Sequence, residues 1–299
     1  MSYIKKFDET TGLPEKNKIQ KSTLYLVATP IGNLSDISPR ACKVLSEVDF
    51  IAAEDTRNTG MLLNHLGIEK KPLISYFEHN KRERGMGIIQ RLQSGESGAL
   101  VSDAGTPAIS DPGEDLVKLC AEHGITVTAV PGSCAVICAL ILSGLSTSRF
   151  AFEGFISGAK SERRERLTQL KTETRTMIIY EAPHKLNKTL GDLLEYLGDR
   201  QITLCRELTK INEEIMRTTI GKAFAHYSEN TPRGEYVLVV EGAKKEDIPC
   251  YWSEMTLAQH VEYLIENEGM SKSDAIKGVA RQRDIPKSEV YNAMIEAKE

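Results

Sequence analysis

Ala99-Leu-Val-Ser-Asp-Ala-Gly-Thr-Pro107 is the stretch whose reading decides the fold. Residues 99–102 read as a short buried strand, and the Asp-Ala-Gly-Thr-Pro that follows breaks it with the two strongest structure punctuators, glycine and proline. The loop continues Ala-Ile-Ser-Asp-Pro-Gly113 and opens a helical segment near 113–123. The same grammar recurs on either side. Leu24 to Ala28 reads as a buried strand broken by Thr29-Pro-Ile-Gly-Asn33, and a strand at 126–130 runs into Val130-Pro-Gly-Ser-Cys134. Further strands are expected at 49–53 and 72–76, with helices near 57–66 and 81–94. Between the first two strands, Ser38 serves as N-cap and Pro39 as first helical residue, with Ile37, Ala41, Val44 and Leu45 on one face. Strands alternating with helices of this length predict a largely parallel sheet with helices on both faces.

After Gly144 and Ser146-Thr-Ser148 the pattern resumes. Strands are expected near 150–155, 176–180, 202–205, 215–220 and 235–241, with helices near 161–171, 184–197 and 221–228. The last 47 residues differ in kind. Leu257, Val261, Leu264 and Ile265 fall on one helical face ended by Gly269. Ser271 or Ser273 caps a helix carrying Ala275, Ile276 and Val279, and a third helix carries Val290 and Met294. The expected organisation is a flexible arm at 1–22, an α/β domain at 23–143, a second α/β domain at 144–245, and a small C-terminal helical domain, helix-turn-helix-like, at 253–299.

Composition narrows the function. With 40% hydrophobic and 27% charged residues, the chain has the balance of a soluble globular protein. A formal charge of −4 does not suit a protein that coats a polyanion, so any nucleic-acid contact requires a local basic patch. Cys42, Cys120, Cys134, Cys138, Cys205 and Cys250 are scattered without a C-x-x-C pair, and no secretory signal precedes them, so reduced thiols and a cytoplasmic location are expected. No stretch approaches the roughly 20 apolar residues of a membrane span, and no ligand set for a metal is visible.

The three glycine–proline loops follow strands, and in open parallel sheets ligands bind beyond the carboxyl ends of strands. Gly105 permits close backbone approach, Asp103 offers a carboxylate, and Ser133-Cys134 opens a helix whose amides suit an anionic group. Singly each loop is an ordinary strand-to-helix turn; together they favour a small-molecule site. None is G-x-G-x-x-G or a Walker loop, and there is no G-x-S-x-G elbow or H-E-x-x-H helix.

Leu24-Tyr-Leu-Val-Ala-Thr-Pro-Ile-Gly-Asn-Leu34, Ala53-Glu-Asp-Thr-Arg57, Val101 to Gly113, and Val130-Pro-Gly-Ser133 together resemble the tetrapyrrole methylase superfamily, and within it the branch acting on ribosomal RNA. Phe152-Glu-Gly-Phe155, Tyr180-Glu-Ala-Pro-His184, Cys205-Arg-Glu-Leu-Thr209 and Arg233-Gly-Glu235 extend the likeness over about residues 23–243. The resemblance implies two α/β domains of the tetrapyrrole-methylase type, with S-adenosyl-L-methionine in the cleft between them. It implies 2′-O-methylation of a cytidine ribose in the decoding region of 16S ribosomal RNA, naked or within the small ribosomal subunit, and a homodimer. Carried over by position, Asp103, Ala104, Gly105 and Thr106 hold the methionine end of the cofactor. Ser133, Cys134, Tyr180 and Gly234 line the same pocket, and Pro30 and Gly32 lie beneath the transferring methyl group.

A ribose hydroxyl is a poor nucleophile, so a base or an electrostatic aid is needed beside it. Glu54, Asp55 and Arg57 are expected to orient the nucleotide; Glu78 with His79, Glu181 with His184, and Arg206 with Glu207 are the other candidates. For RNA, Lys160, Arg163, Arg164 and Arg166 form the leading basic cluster, against the plain alternative of a solvated helix face. Lys81, Arg82 and Arg84 form a second cluster. In the helical tail, Lys272, Lys277, Arg281, Arg283 and Lys287 are candidate contacts, although nine acidic side chains outnumber six basic ones between Ser253 and Glu299. Tyr76, Phe77 and Phe155 are candidates to stack on an unpaired base. Two competing readings are a methyltransferase of the same fold acting on a tetrapyrrole-like small molecule, and a non-catalytic RNA-binding assembly factor.

Overall fold

The computed structural model describes residues 18–244, 246 and 251–297. Most of the arm expected at 1–22 lies outside the described residues, as does Cys250. Residues up to Gly242 form one compact unit, and Ala243–Glu299 form another.

The first sheet contains β1 (Thr23–Val27), β2 (Phe50–Ala53), β3 (Leu73–Ser75), β4 (Gly98–Val101) and β5 (Thr126–Val130), in the order β3-β2-β4-β1-β5. Every pairing in it is parallel. All five strands therefore end at the same edge. β2 and β4 are buried along their whole length, which matches their continuous apolar runs. Between the strands run α1 (Pro39–Glu47), α2 (Thr56–His65), α3 (Lys81–Gln93) and α4 (Gly113–Glu122). Ser38 caps α1 by accepting from the Ala41 amide, and the expected face of Ile37, Ala41, Val44 and Leu45 is buried. Each of its larger aliphatic side chains contributes about 1.5–3 kcal/mol on burial.

The second sheet contains β6 (Phe150–Phe155), β7 (Thr176–Glu181), β8 (Gln201–Arg206), β9 (Glu214–Thr219) and β10 (Tyr236–Val240), in the order β6-β7-β10-β8-β9. Only β6 and β7 are parallel; the other pairs are antiparallel. α6 (Lys160–Leu170), α7 (Pro183–Leu197) and α8 (Ile220–Glu229) accompany it, with Leu167, Leu186, Leu190 and Leu193 in its core.

α5 (Ala135–Ser143) joins the sheets physically. It follows β5 of the first sheet, yet Val136, Ala139 and Leu140 pack with Ile178, Cys205, Val237 and Val239 of the second. Thr203 and Arg217 reach from β8 and β9 to carbonyls of Ser143 and Leu142 at the end of α5.

In the C-terminal unit, α9 (Leu257–Glu268), α10 (Lys272–Arg283) and α11 (Lys287–Glu296) surround a core of Val261, Leu264, Ala275, Val279, Val290 and Met294. Thr256 and Gln259 form a capping box on α9, and Ser271 caps α10. Arg283 departs from its expected role as an RNA contact. Its guanidinium lies over the Trp252 ring, 4.9 Å from the centroid, and donates to the Trp252 and Met255 carbonyls and to His260 Nδ1. Its Nε and Nη2 donors are used inside the unit. Burial, then the neighbouring Arg283, pushes the His260 pKa down. Among the described residues no helix is long and apolar enough to cross a membrane.

Candidate functional site

Because all strands of the first sheet end at one edge, their loops stand side by side in strand order. Hydrogen bonds weld the loops after β4, β1 and β5, neighbours in the sheet. Thr29 and Gly105 exchange backbone bonds of 2.9 and 3.1 Å, the Thr29 hydroxyl donates to the Ser102 carbonyl, and the Thr106 hydroxyl donates to the Ser133 carbonyl at 2.9 Å. Gly105 has φ +85, and a Cβ there would approach Ile31 Cγ2 to 3.1 Å. The loop thus needs glycine for its backbone and for its tight fit to the Thr29–Asn33 loop. Downstream, Ala108 and Ser110 also take left-handed conformations at φ +68 and +61. Asp111 holds that bend by accepting from the Ala108 and Gly113 amides at 3.0 and 2.7 Å. Backbone strain of this kind, about 1–3 kcal/mol per residue, persists only where surrounding contacts fix it.

Asp103 is the bridge to the next loop. Its oxygens accept from the Asp55 amide at 3.1 Å and from Asn58 Nδ2 at 3.2 Å. Its own amide in turn donates to the Glu54 carboxylate. The expected trio therefore splits by role. Asp55 caps α2 and binds the Arg57 amide and guanidinium at 2.6–3.1 Å, which holds its pKa down at about 2. Arg57, with 87% of its side chain exposed, extends outward from that anchor. Glu54 behaves oppositely. Although the residue is exposed, partial desolvation of its carboxylate pushes its pKa up, and the carboxylates of Asp103 and Asp111 push it further.

From the second sheet, the turn after β8 meets the same edge. A Cβ on Gly32 would come within 2.3 Å of Lys210 Cγ and 3.1 Å of Thr209 Oγ1. Lys210 is clamped by Glu207 at 2.9 Å and Glu235 at 2.7 Å, beside Gly234. Tyr180 packs against Phe152 and Phe155, and its hydroxyl accepts from the Val136 amide at the start of α5; burial pushes its pKa up to about 12. Tyr180 is thereby tied to the Ser133–Cys134 turn. Pro30, Gly32, Asp103 to Thr106, Ser133, Cys134, Tyr180 and Gly234 thus fall on connected segments.

Other expected residues sit elsewhere. Glu181 is buried, accepting from the Thr189 hydroxyl at 2.5 Å and the Ala182 amide, so it does not face a substrate. Arg206 pairs with Glu214 of the neighbouring strand rather than with Glu207. Tyr76 is buried and unavailable for stacking. Arg163 requires the largest correction: it is 6% exposed, with its guanidinium bonded to Asp192 at 2.6 Å and to the Thr189 hydroxyl at 2.8 Å. It lies on the buried face with Leu167 and Leu170 and offers nothing to RNA. Lys160, Arg164 and Arg166 are exposed, although Arg166 pairs with Glu153.

Asn58, Asp111 and Thr209 were not anticipated. Asn58 and Asp111 stand near loop or helix starts, where such side chains commonly bind backbone, and this was the available signal. Thr209 Oγ1 is buried without a hydrogen-bond partner among the described residues, on a backbone at φ +65. A β-branched residue in that conformation is an outlier. An unpartnered polar atom beside Gly32, and a cradle at Gly105 that a Cβ would crowd, fit a polar small molecule such as the S-adenosylmethionine implied by the resemblance. No cluster of metal-holding side chains occurs among the described residues.

Comparison with known proteins places the chain among methyltransferases. The family model for tetrapyrrole (corrin/porphyrin) methylases matches residues 23–223. A Synechocystis sp. relative described as ribosomal RNA small subunit methyltransferase I is 49% identical over 91% of this chain and 97% of its own. The Bacillus subtilis protein of the same description is 47% identical over 92% of this chain and 95% of its own. Among solved structures, uroporphyrin-III C-methyl transferase from Thermus thermophilus, complexed with S-adenyl homocysteine, aligns with a TM-score of 0.52 at 17% identity, covering 73% of this chain and 97% of that one. Diphthine synthase aligns with a TM-score of 0.57 at 14% identity, covering 73% and 90%. These structural likenesses concern the fold.

Proposed function

Because the chain belongs to the tetrapyrrole (corrin/porphyrin) methylase family, we propose that it uses S-adenosyl-L-methionine to methylate the 2′-hydroxyl of a cytidine ribose in the decoding region of 16S ribosomal RNA. The ribosomal acceptor is supported by relatives that are 47% and 49% identical and carry that substrate in their names. The observation that carries the chemistry is the junction at Asp103, which bonds the cofactor loop to the segment bearing Glu54, Asp55 and Arg57.

When bound, the cofactor supplies a methyl group on a sulfonium, electrophilic toward an oxygen placed in line behind it. The chain's residues hold and orient the reactants. Asp103, Ala104, Gly105 and Thr106 would hold the cofactor's methionine end, Ser133, Cys134, Tyr180 and Gly234 would line the pocket, and Pro30 and Gly32 would bound it from the adjoining loop. Glu54 takes the proton from the ribose hydroxyl. Its raised pKa makes it a better proton acceptor than an ordinary glutamate. Arg57 uses the guanidinium donors that Asp55 leaves free to hold an RNA phosphate.

With the small ribosomal subunit as substrate, the protein works in the cytoplasm, where the five described cysteines remain free thiols. The family resemblance further supports a homodimer, and Ile137 and Ile141, exposed one turn apart on α5, offer an apolar face for it. The test is transfer of labelled methyl from the cofactor to small subunits isolated from cells that lack the protein. Transfer by the wild type, with loss of about 10²-fold or more in Glu54→Gln, supports the reading. Tight cofactor binding without transfer to subunits would point to a small-molecule acceptor.

A further inference from the structure

Phe155 stands at the end of β6 with 59% of its surface exposed, an unusual setting for so large an apolar ring. Its direction is built in. The β6–β7 register shifts between Phe152 and Gly154, and Gly154 takes φ +62, so the strand end carries a bulge. Bulges re-aim side chains and recur beside active sites. A Cβ on Gly154 would lie 3.3 Å from Ser110 Oγ, so the bulge abuts the Ser102–Gly113 loop.

The ring is supported by Tyr180. Its centroid lies 5.5 Å from that of Tyr180, which contacts Phe152 at 5.0 Å and is anchored to α5 through Val136. Three aromatic rings thus form the series Phe152, Tyr180 and Phe155, of which Phe155 is the most exposed. Immediately downstream, Lys160 and Arg164 are exposed one turn apart on α6. Phe77, at 36% exposure, has an edge-on contact with His79 instead of a supported ring series.

A ribose within folded RNA is reached only if its nucleotide leaves the stack, and an extruded base needs a new aromatic partner. We infer that Phe155 stacks on the target cytosine, while Lys160 and Arg164 hold flanking phosphates; this inference rests on the RNA acceptor proposed above. The supported ring supplies the platform, and the adjacent cations supply the backbone contacts that position it.

The experiment uses the full-length protein and small ribosomal subunits lacking the methyl mark. It measures subunit KM by methyl transfer, subunit binding by filter retention, and S-adenosylmethionine Kd by calorimetry. Phe155→Leu, which keeps apolar bulk but removes the π face, is expected to raise KM about 5- to 100-fold and weaken subunit binding, with cofactor Kd preserved. Phe155→Trp is expected to keep KM near the wild-type value. An unchanged KM in active Phe155→Leu overturns the stacking role and leaves the methyltransferase reading intact. A parallel rise in cofactor Kd overturns it in favour of a ring that serves the cofactor. A wild type that neither binds nor methylates subunits removes both the reading and this inference.

Discussion

Gly105 and Glu54 show what single residues contribute to the site. At φ +85, with Ile31 Cγ2 only 3.1 Å from a would-be Cβ, Gly105 leaves no room for a side chain without moving the proposed cofactor loop. Gly105→Val is expected to weaken S-adenosylmethionine at least about tenfold, near 1.4 kcal/mol, by calorimetry; unchanged affinity would contradict the pocket assignment. Glu54 must be ionised to accept a proton, so the rate should fall as pH drops through its raised pKa, at a higher pH than an ordinary glutamate would give. The residual rate of Glu54→Gln should lack that limb. Asp55 has the reverse sign: its pKa is depressed to about 2, so its stabilising contribution is present above the ordinary aspartate value and lost as pH falls toward about 2. A melting difference between wild type and Asp55→Asn should therefore shrink over that window. The glycine loops and the Glu54–Arg57 segment were legible because glycine, proline and clustered charges are local signals. The unpartnered Thr209 hydroxyl was not, because its isolation depends on how chain segments far apart in sequence pack.

At the scale of elements, α6 separates two kinds of arginine. Arg163, Leu167 and Leu170 recur at helical spacing on the buried side, whereas Lys160 and Arg164 face water. The apolar pair at 167 and 170 marks that face in the sequence, but the clustered basic residues suggested a shared outer face. Arg163→Ala should destabilise the protein by about 3 kcal/mol in urea unfolding, because Asp192 and the Thr189–Glu181 pair lose a buried partner. Arg164→Ala should leave stability within about 0.5 kcal/mol while weakening subunit binding. Equal effects of the two substitutions on stability would contradict this division. The second sheet shows a related limit. Its strands and helices were readable from periodicity, but alternation alone does not say whether a strand returns parallel or antiparallel, and β8 to β10 return antiparallel. Nor did the joint at Gly144 reveal that α5 packs on the second sheet.

At the scale of the molecule, the α/β unit carries both sheets and the proposed chemistry, and the C-terminal unit has a core of its own. The apolar stripes on its three helices were plain in the sequence, whereas the inward use of Arg283 depends on Trp252 and His260 meeting across the unit. A fragment spanning residues 243–299 should be helical by circular dichroism and melt cooperatively; a coil spectrum would contradict an independent core. The central claim is that methyl groups pass to ribose oxygens of cytidine in the small ribosomal subunit. Its most direct measurement digests subunits labelled by the enzyme to nucleosides and identifies the labelled product. The account predicts 2′-O-methylcytidine from the 16S decoding region; label on a base, on protein, or on no component of the subunit would contradict it.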